Sequence, residues 1–193
     1  MAFTVPLPRL PLDGGSARWY EHELGWATAD GPPVQLLTGL RFDVLELPAA
    51  AGTAALRRLG GEWPVALEGH RMRMLVAAGS ADELPGLLDW LEWGGVALDL
   101  TALGTGGRTT APVPPGRSGP GVPGTAVWLR PPRPGREVEP TLPALLATGG
   151  SGAGAPGLVR LVDTAASECH RVRLLGAAGA ATPLSGWRPR RPA

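Results

Sequence analysis

Apolar and polar positions follow two rhythms along this chain, and the switches between them mark its elements. A period near two, or a short apolar run between turn residues, reads as a strand at Val34–Leu37, Leu40–Glu46, Val65–Leu67, Met72–Ala77, Val96–Leu100 and Thr125–Leu129. The second of these ends at Pro48. Helical spacing runs from Ala17 to Leu24, where Ser16 is placed to cap the first turn, Trp19, Tyr20 and Leu24 lie along one side, and Gly25 stops it. It recurs over Ala49–Leu59, ended by Gly60-Gly61, and over Ser80–Trp93, where Ser80 and Glu83 have capping-box spacing. A short helix is predicted at Leu142–Leu146. The longest, Leu158–Leu175, has Leu158, Leu161, Val162, Ala165, Cys169 and Val172 on one face.

Glycine and proline supply the punctuation. Glu68-Gly69-His70-Arg71 reads as a turn, Gly104–Gly124 as a loop and Pro131–Pro140 as an extended connector. Strands alternating with helices, and no internal repeat, predict an α/β (α+β) fold: a small central sheet flanked by helices, plus a C-terminal helix. The expected organisation is a domain over 1–148, a flexible linker over 149–157, an amphipathic helix over 158–176 and a disordered tail over 177–193, which carries Arg188, Arg190 and Arg191 between prolines.

Composition narrows the function classes. The 193 residues include 29 Gly and 22 Pro but no Lys, Ile or Asn, and all 18 basic residues are Arg. Residues with AT-rich codons are the missing ones, which points to a GC-rich bacterial genome, so arginine here reflects coding before chemistry. A net charge of +1 gives no global field for nucleic acid. The single cysteine, Cys169, rules out an intrachain disulfide and cysteine zinc clusters, and a reducing cytoplasm is expected. The start of the chain is broken by Pro6, Pro8 and Pro11 and does not read as a signal peptide; no apolar run of about 18 residues predicts a membrane span.

Candidate chemistry lies chiefly in carboxylates. Asp43 and Asp99 each sit inside an apolar stretch, where an acid is costly unless paired, hydrogen-bonded or metal-bound. The histidines His22, His70 and His170 are scattered. Gly104–Pro112 is glycine-rich after a strand, but lacks the Lys-Ser/Thr of a phosphate loop. Trp90 and Trp93, three apart on one predicted helix, suit base stacking, partner docking or ordinary core packing. Cys169 falls on an apolar helix face and reads as a small core residue; His170 beside it reads as part of the solvated face.

The order of these features resembles the bacterial primase–polymerase domain of the archaeo-eukaryotic primase superfamily. The resemblance is carried by Tyr20–Trp26, Phe42–Pro48, Gly69–Met74, then Asp99, Gly106-Gly107, Ala111-Pro112, Pro114-Pro115 and Val127-Trp128-Leu129, over roughly residues 17 to 130. It implies a primase–polymerase-like sheet with two Mg or Mn ions held by acids. Carried over, Asp43 and Asp99 become metal ligands, His70 contacts nucleotide phosphate, and Arg71 or Arg73 assists. The chain departs from the pattern at Leu45, where the family has a second Asp. The nearest acid, Glu46, is three residues after Asp43, so the two do not share a strand face without a bulge.

Three functions follow as expectations. The first is a primase–polymerase-like protein with an impaired metal site, binding nucleotide or nucleic acid in an accessory or regulatory role. The second is an active nucleotidyltransferase (DNA primase or polymerase) using Asp43, Asp99 and a re-aimed Glu46. The third is a protein-interaction module docking through the Trp90/Trp93 helix or the C-terminal helix.

Overall fold

The computed structural model describes residues 14–29, 31–117, 125–145 and 156–180. Four helices and two antiparallel sheets make a mixed α/β fold among these residues. The elements in chain order are α1 (Gly14–Glu23), β1 (Thr28–Ala29), β2 (Gln35–Leu37), β3 (Phe42–Pro48), α2 (Ala49–Leu59), β4 (Val65–Glu68), β5 (Arg71–Ala77), α3 (Ser80–Trp90), β6 (Thr101–Leu103), β7 (Arg108–Thr110), β8 (Val127–Arg130) and α4 (Leu158–Ala180). The larger sheet has the order β6-β3-β5-β4-β8, and the smaller has β1-β2-β7.

The larger sheet is covered by helices on one face and over part of the other, which is why β3 and β5 are apolar except at Asp43, Glu46, Arg71 and Arg73. Side chains alternate across a strand, so Leu45 and Leu47 of β3 and Met72, Met74 and Val76 of β5 point one way, into a core closed by α2, α3 and α4. Phe42 and Val44 of β3 and Leu75 of β5 point the other way, onto Tyr20, Leu24 and Trp26 from α1 and its exit and onto Leu36 of the smaller sheet. Tyr20 ties this second layer together: its hydroxyl donates to the Pro112 carbonyl (2.6 Å) and accepts from the Trp128 indole N–H (2.9 Å). Burial holds its phenol well above the ordinary range.

Close approach explains one glycine that helix propensity disfavours. A Cβ on Gly52 in α2 would stand 2.3 Å from the Met72 sulfur of β5, so the missing side chain lets the helix lie directly on the sheet. The C-terminal helix α4 is built into the same core through Leu158, Leu161, Val162, Ala165, Ala166 and Cys169. Its buried Glu168 accepts from Arg58 of α2 (2.9 Å), clamping the two helices.

Several expected boundaries change. Val96–Leu100 is not a strand; the strand begins just past it, at Thr101, so Asp99 lies in the approach to β6 rather than within it. Ser16 falls inside α1, and the Ser80 side chain makes no cap: Gly79, with φ 88°, is the N-cap of α3. The helix expected at Leu142–Leu146 is replaced by a 3-10 turn at Glu139–Thr141. The expected loop after Gly104 contains β7. The N-terminal segment to Asp13, residues 118–124, most of the 149–157 linker and the tail from 181 lie outside the described residues. Among the described residues no helix is long and apolar enough to cross a membrane.

Candidate functional site

Strand β3 sends its two acids to opposite faces of the sheet. Asp43 pairs in register with Val76 and shares the helix-side face with Leu45 and Leu47; Glu46 pairs with Arg73 and shares the other face with Val44. No bulge interrupts this pairing, so the expected convergence of Asp43, Asp99 and Glu46 on one metal pair does not occur.

Asp43 is only 1% exposed and points at the start of α3. Its Oδ2 accepts a 2.8 Å hydrogen bond from the Ala81 N–H, one of the donors that a helix N-terminus leaves unsatisfied. Its Oδ1 has no hydrogen-bond partner among the described residues. Burial pushes this carboxyl above the ordinary range, backbone N–H groups of Ala81, Gly79 and Gly39 oppose that, and the charge of Asp82 adds to it. Asp43 is therefore the side chain that caps α3, a role the sequence suggested for Ser80.

Glu46 has the opposite surroundings. Its Oε1 accepts from Arg71 Nε and its Oε2 from Arg73 Nε, each at 3.0 Å. Arg71 also donates from Nη1 to Asp99 Oδ1 (2.7 Å), and Arg73 pairs with Glu68 of β4. Burial alone would raise the Glu46 carboxyl, but the hydrogen bonds from Arg73 and Arg71 hold it below its ordinary range. Arg71, bonded to Asp99 and Glu46, is held above its own range despite partial burial. The register places these groups together: Arg71 faces Glu68 across β4, and Thr101 of β6 faces Glu46 from the other side.

The structure thus brings together Glu46, Arg71, Arg73 and Asp99, adds Glu68, and leaves Asp43 behind the sheet. His70 is exposed in the turn before β5, where its carbonyl accepts the Ala49 N–H that opens α2. Mg or Mn does not fit this arrangement. Two acids on the open face are already bound to guanidinium, the third is on the other face, and among the described residues no group of three His, Cys, Asp or Glu is disposed to hold a metal.

The remaining sequence candidates separate as well. Trp90, at the end of α3, is 72% exposed, whereas Trp93 lies beyond the helix, packs on the core, donates to Asp163 and stacks obliquely against His170. They share no face. Cys169 is buried beside the Asp99 carbonyl, and burial pushes its thiol up to about 12, which makes it inert at neutral pH.

A second concave region was not read from the sequence. The segment expected to be a connector, Pro131–Pro140, forms with β8 a groove of about 810 Å³ bearing Arg130, Arg133 and Arg136. The available signal was three arginines at three-residue spacing among prolines, which composition alone made unremarkable. Compared with family models, curated proteins and solved structures, the chain finds no match.

Proposed function

We propose that this chain is a primase–polymerase-like module that has lost its metal site and works by binding, with no nucleotidyl transfer. The observation that carries this reading is the Arg71 guanidinium lying between Glu46 and Asp99, hydrogen-bonded to both. A polymerase of this type needs carboxylates converging from one face, so that metal ions neutralise the charge developing on transferred phosphate. On β3 such a pair requires positions two apart. The face holding Glu46 carries Val44 at the preceding position, and the acid at Asp43 caps a helix on the far side.

The charge balance favours a protein partner over nucleotide or nucleic acid. Among the described residues the ion pairs of Glu46, Glu68 and Asp99 are with Arg71 and Arg73, three acids to two guanidiniums, so this cluster carries a net negative charge that disfavours phosphate. Releasing Arg71 or Arg73 for a phosphate would strand a half-buried carboxylate, at a cost of about 2 kcal/mol or more.

Thermal unfolding with Mn²⁺ or Mg²⁺ and each nucleoside triphosphate tests the reading. A nucleotide present at 100 times its dissociation constant would add about 2.7 kcal/mol. No metal-dependent shift is expected for any nucleotide, and no templated nucleotide incorporation. A shift that requires metal and disappears in Glu46→Ala or Asp99→Ala would overturn it.

A further inference from the structure

The solvent side of α3 is acidic and ends in an exposed ring. Between Arg73 and Arg108 the sequence has five acids and no basic residue. Of the five, only Asp99 is in an ion pair among the described residues. Asp82 and Glu83 lie in the first turn of α3, where a helix N-terminus favours acids. Asp89 and Glu92 lie at the other end, where the helix carbonyls already gather negative charge and a cation is the stabilising residue; the last turn has none.

The same end exposes Trp90, with Asp89 and Glu92 flanking it in the chain. Gly86 lies one turn before Trp90 on the same side. A Cβ there would meet nothing within 4 Å, so no neighbour demands this glycine as Met72 demands Gly52. Its missing side chain costs the helix about 1 kcal/mol and leaves space beside the indole. An accessible indole with carboxylates next to it has the chemistry to hold a guanidinium, by cation–π contact and charge together.

Charge and reach identify the occupant within this chain. Of the segments outside the described residues, 118–124 and 146–155 have no charged side chain, Arg9 is matched by Asp13 in 1–13, and residue 30 is an acid. Residues 181–193 have Arg188, Arg190 and Arg191 and no acid. Trp93 donates to Asp163 of α4 (3.2 Å), so the end of α3 lies beside Asp163. From there α4 runs on to Ala180, about 26 Å at the helical rise. Arg188–Arg191 follow within about 26–36 Å of extended chain, enough to return along that length. We propose that the 188–191 segment docks in cis on the Trp90 end of α3, its guanidiniums on Trp90, Asp89 and Glu92, and covers a surface otherwise open to a partner. This goes beyond the binding reading above and does not depend on the lost metal site.

The test is paramagnetic relaxation enhancement in the full chain. Cys169 is buried and unreactive, so a nitroxide attached at Ala193→Cys labels the end of the tail alone. The expected result is loss of the backbone amide signals of residues 86–93, at every protein concentration. The signals should return in 1 M salt, where the screening length falls to about 3 Å. They should also return in Trp90→Ala/Glu92→Arg and in Arg188→Glu/Arg190→Glu/Arg191→Glu. The second of these variants leaves α3 untouched, and an unchanged urea midpoint in both separates lost docking from lost fold. Undiminished signals over 86–93, a stronger loss elsewhere on the surface, or a loss that survives both variants would overturn the proposal. So would a loss seen only between a labelled and an unlabelled chain, which would place the tail on a second copy.

Discussion

Asp43 and Glu46 stand three residues apart on β3, carry the same functional group, and meet opposite environments. Asp43 is sealed on the helix side, where its carboxylate accepts from the Ala81 N–H of α3. Glu46 is half-buried on the other side, with a guanidinium on each oxygen. Strand periodicity alone separates them, and the separation decides the chemistry: one acid holds a helix in place, the other holds two arginines.

The comparison breaks first, and most visibly, at Glu46. Glu46→Ala leaves Arg71 and Arg73 without their shared acceptor and is expected to cost about 2–3 kcal/mol in urea unfolding. Replacing Glu46, Glu68, Arg71 and Arg73 together by Leu and Met should recover most of that loss, because only the exposed Asp99 then lacks its arginine. A cost below about 0.5 kcal/mol for Glu46→Ala would place the ion pairs among exposed, negligible ones.

Asp43→Ala is expected to cost somewhat less, about 1–2 kcal/mol, by removing the cap of α3. Asp43→Asn should recover part of this, since its amide oxygen can still accept from the Ala81 N–H. Hydrogen exchange in the first turn of α3 is the local readout: faster exchange in Asp43→Ala confined to Ser80–Leu84 is the expected pattern, and unchanged exchange there would deny the capping role.

Acid titration sharpens the contrast because the two pKa shifts have opposite sign. The Glu46 carboxyl is lowered in the folded chain, so its stabilisation is present above the ordinary glutamate range and is lost as pH falls through the lowered value. The Asp43 carboxyl is raised, so the folded state gains most when it is protonated, and stability declines as pH rises through the raised value. Urea midpoints followed from about pH 3 to 7 should therefore lose part of their acid-side fall in Glu46→Gln, and part of their decline with rising pH in Asp43→Asn. Parallel changes in the two variants would contradict the assignment.

The smallest effects mark the residues that neither environment uses. His70→Ala and Trp90→Ala remove exposed side chains and should each stay within about 0.5 kcal/mol of wild type in urea unfolding. A larger loss at His70 would mean that its ring, and not only its backbone carbonyl, supports the turn into β5.

Periodicity made the local elements legible. The apolar spacing of Ala49–Leu59 before Gly60-Gly61 gives α2 with its observed bounds, and the face of α4 that buries Leu158, Leu161, Val162, Ala165 and Cys169 is the predicted one. Long-range partners were not legible. Ser80 has capping-box spacing, yet the cap comes from Asp43, 38 residues away, because the sheet delivers a buried carboxylate to that helix end. Val96–Leu100 is apolar enough for a strand, but Leu98 and Leu100 pack on the core without pairing, and pairing with β3 begins only at Thr101. The candidate site was half legible. The spacing of Asp43 and Glu46 already required opposite faces, whereas the capture of Glu46 and Asp99 by Arg71 depends on a register between strands that no single segment specifies.

The most direct test of the central claim is electron paramagnetic resonance of Mn²⁺ titrated with the full chain, without nucleotide. With Asp43 behind the sheet and Arg71 bonded to both Glu46 and Asp99, the free Mn²⁺ signal should be undiminished up to high protein concentration. Stoichiometric loss of that signal, restored in Glu46→Ala or Asp99→Ala, would show that the acids do converge on a metal and would contradict the account.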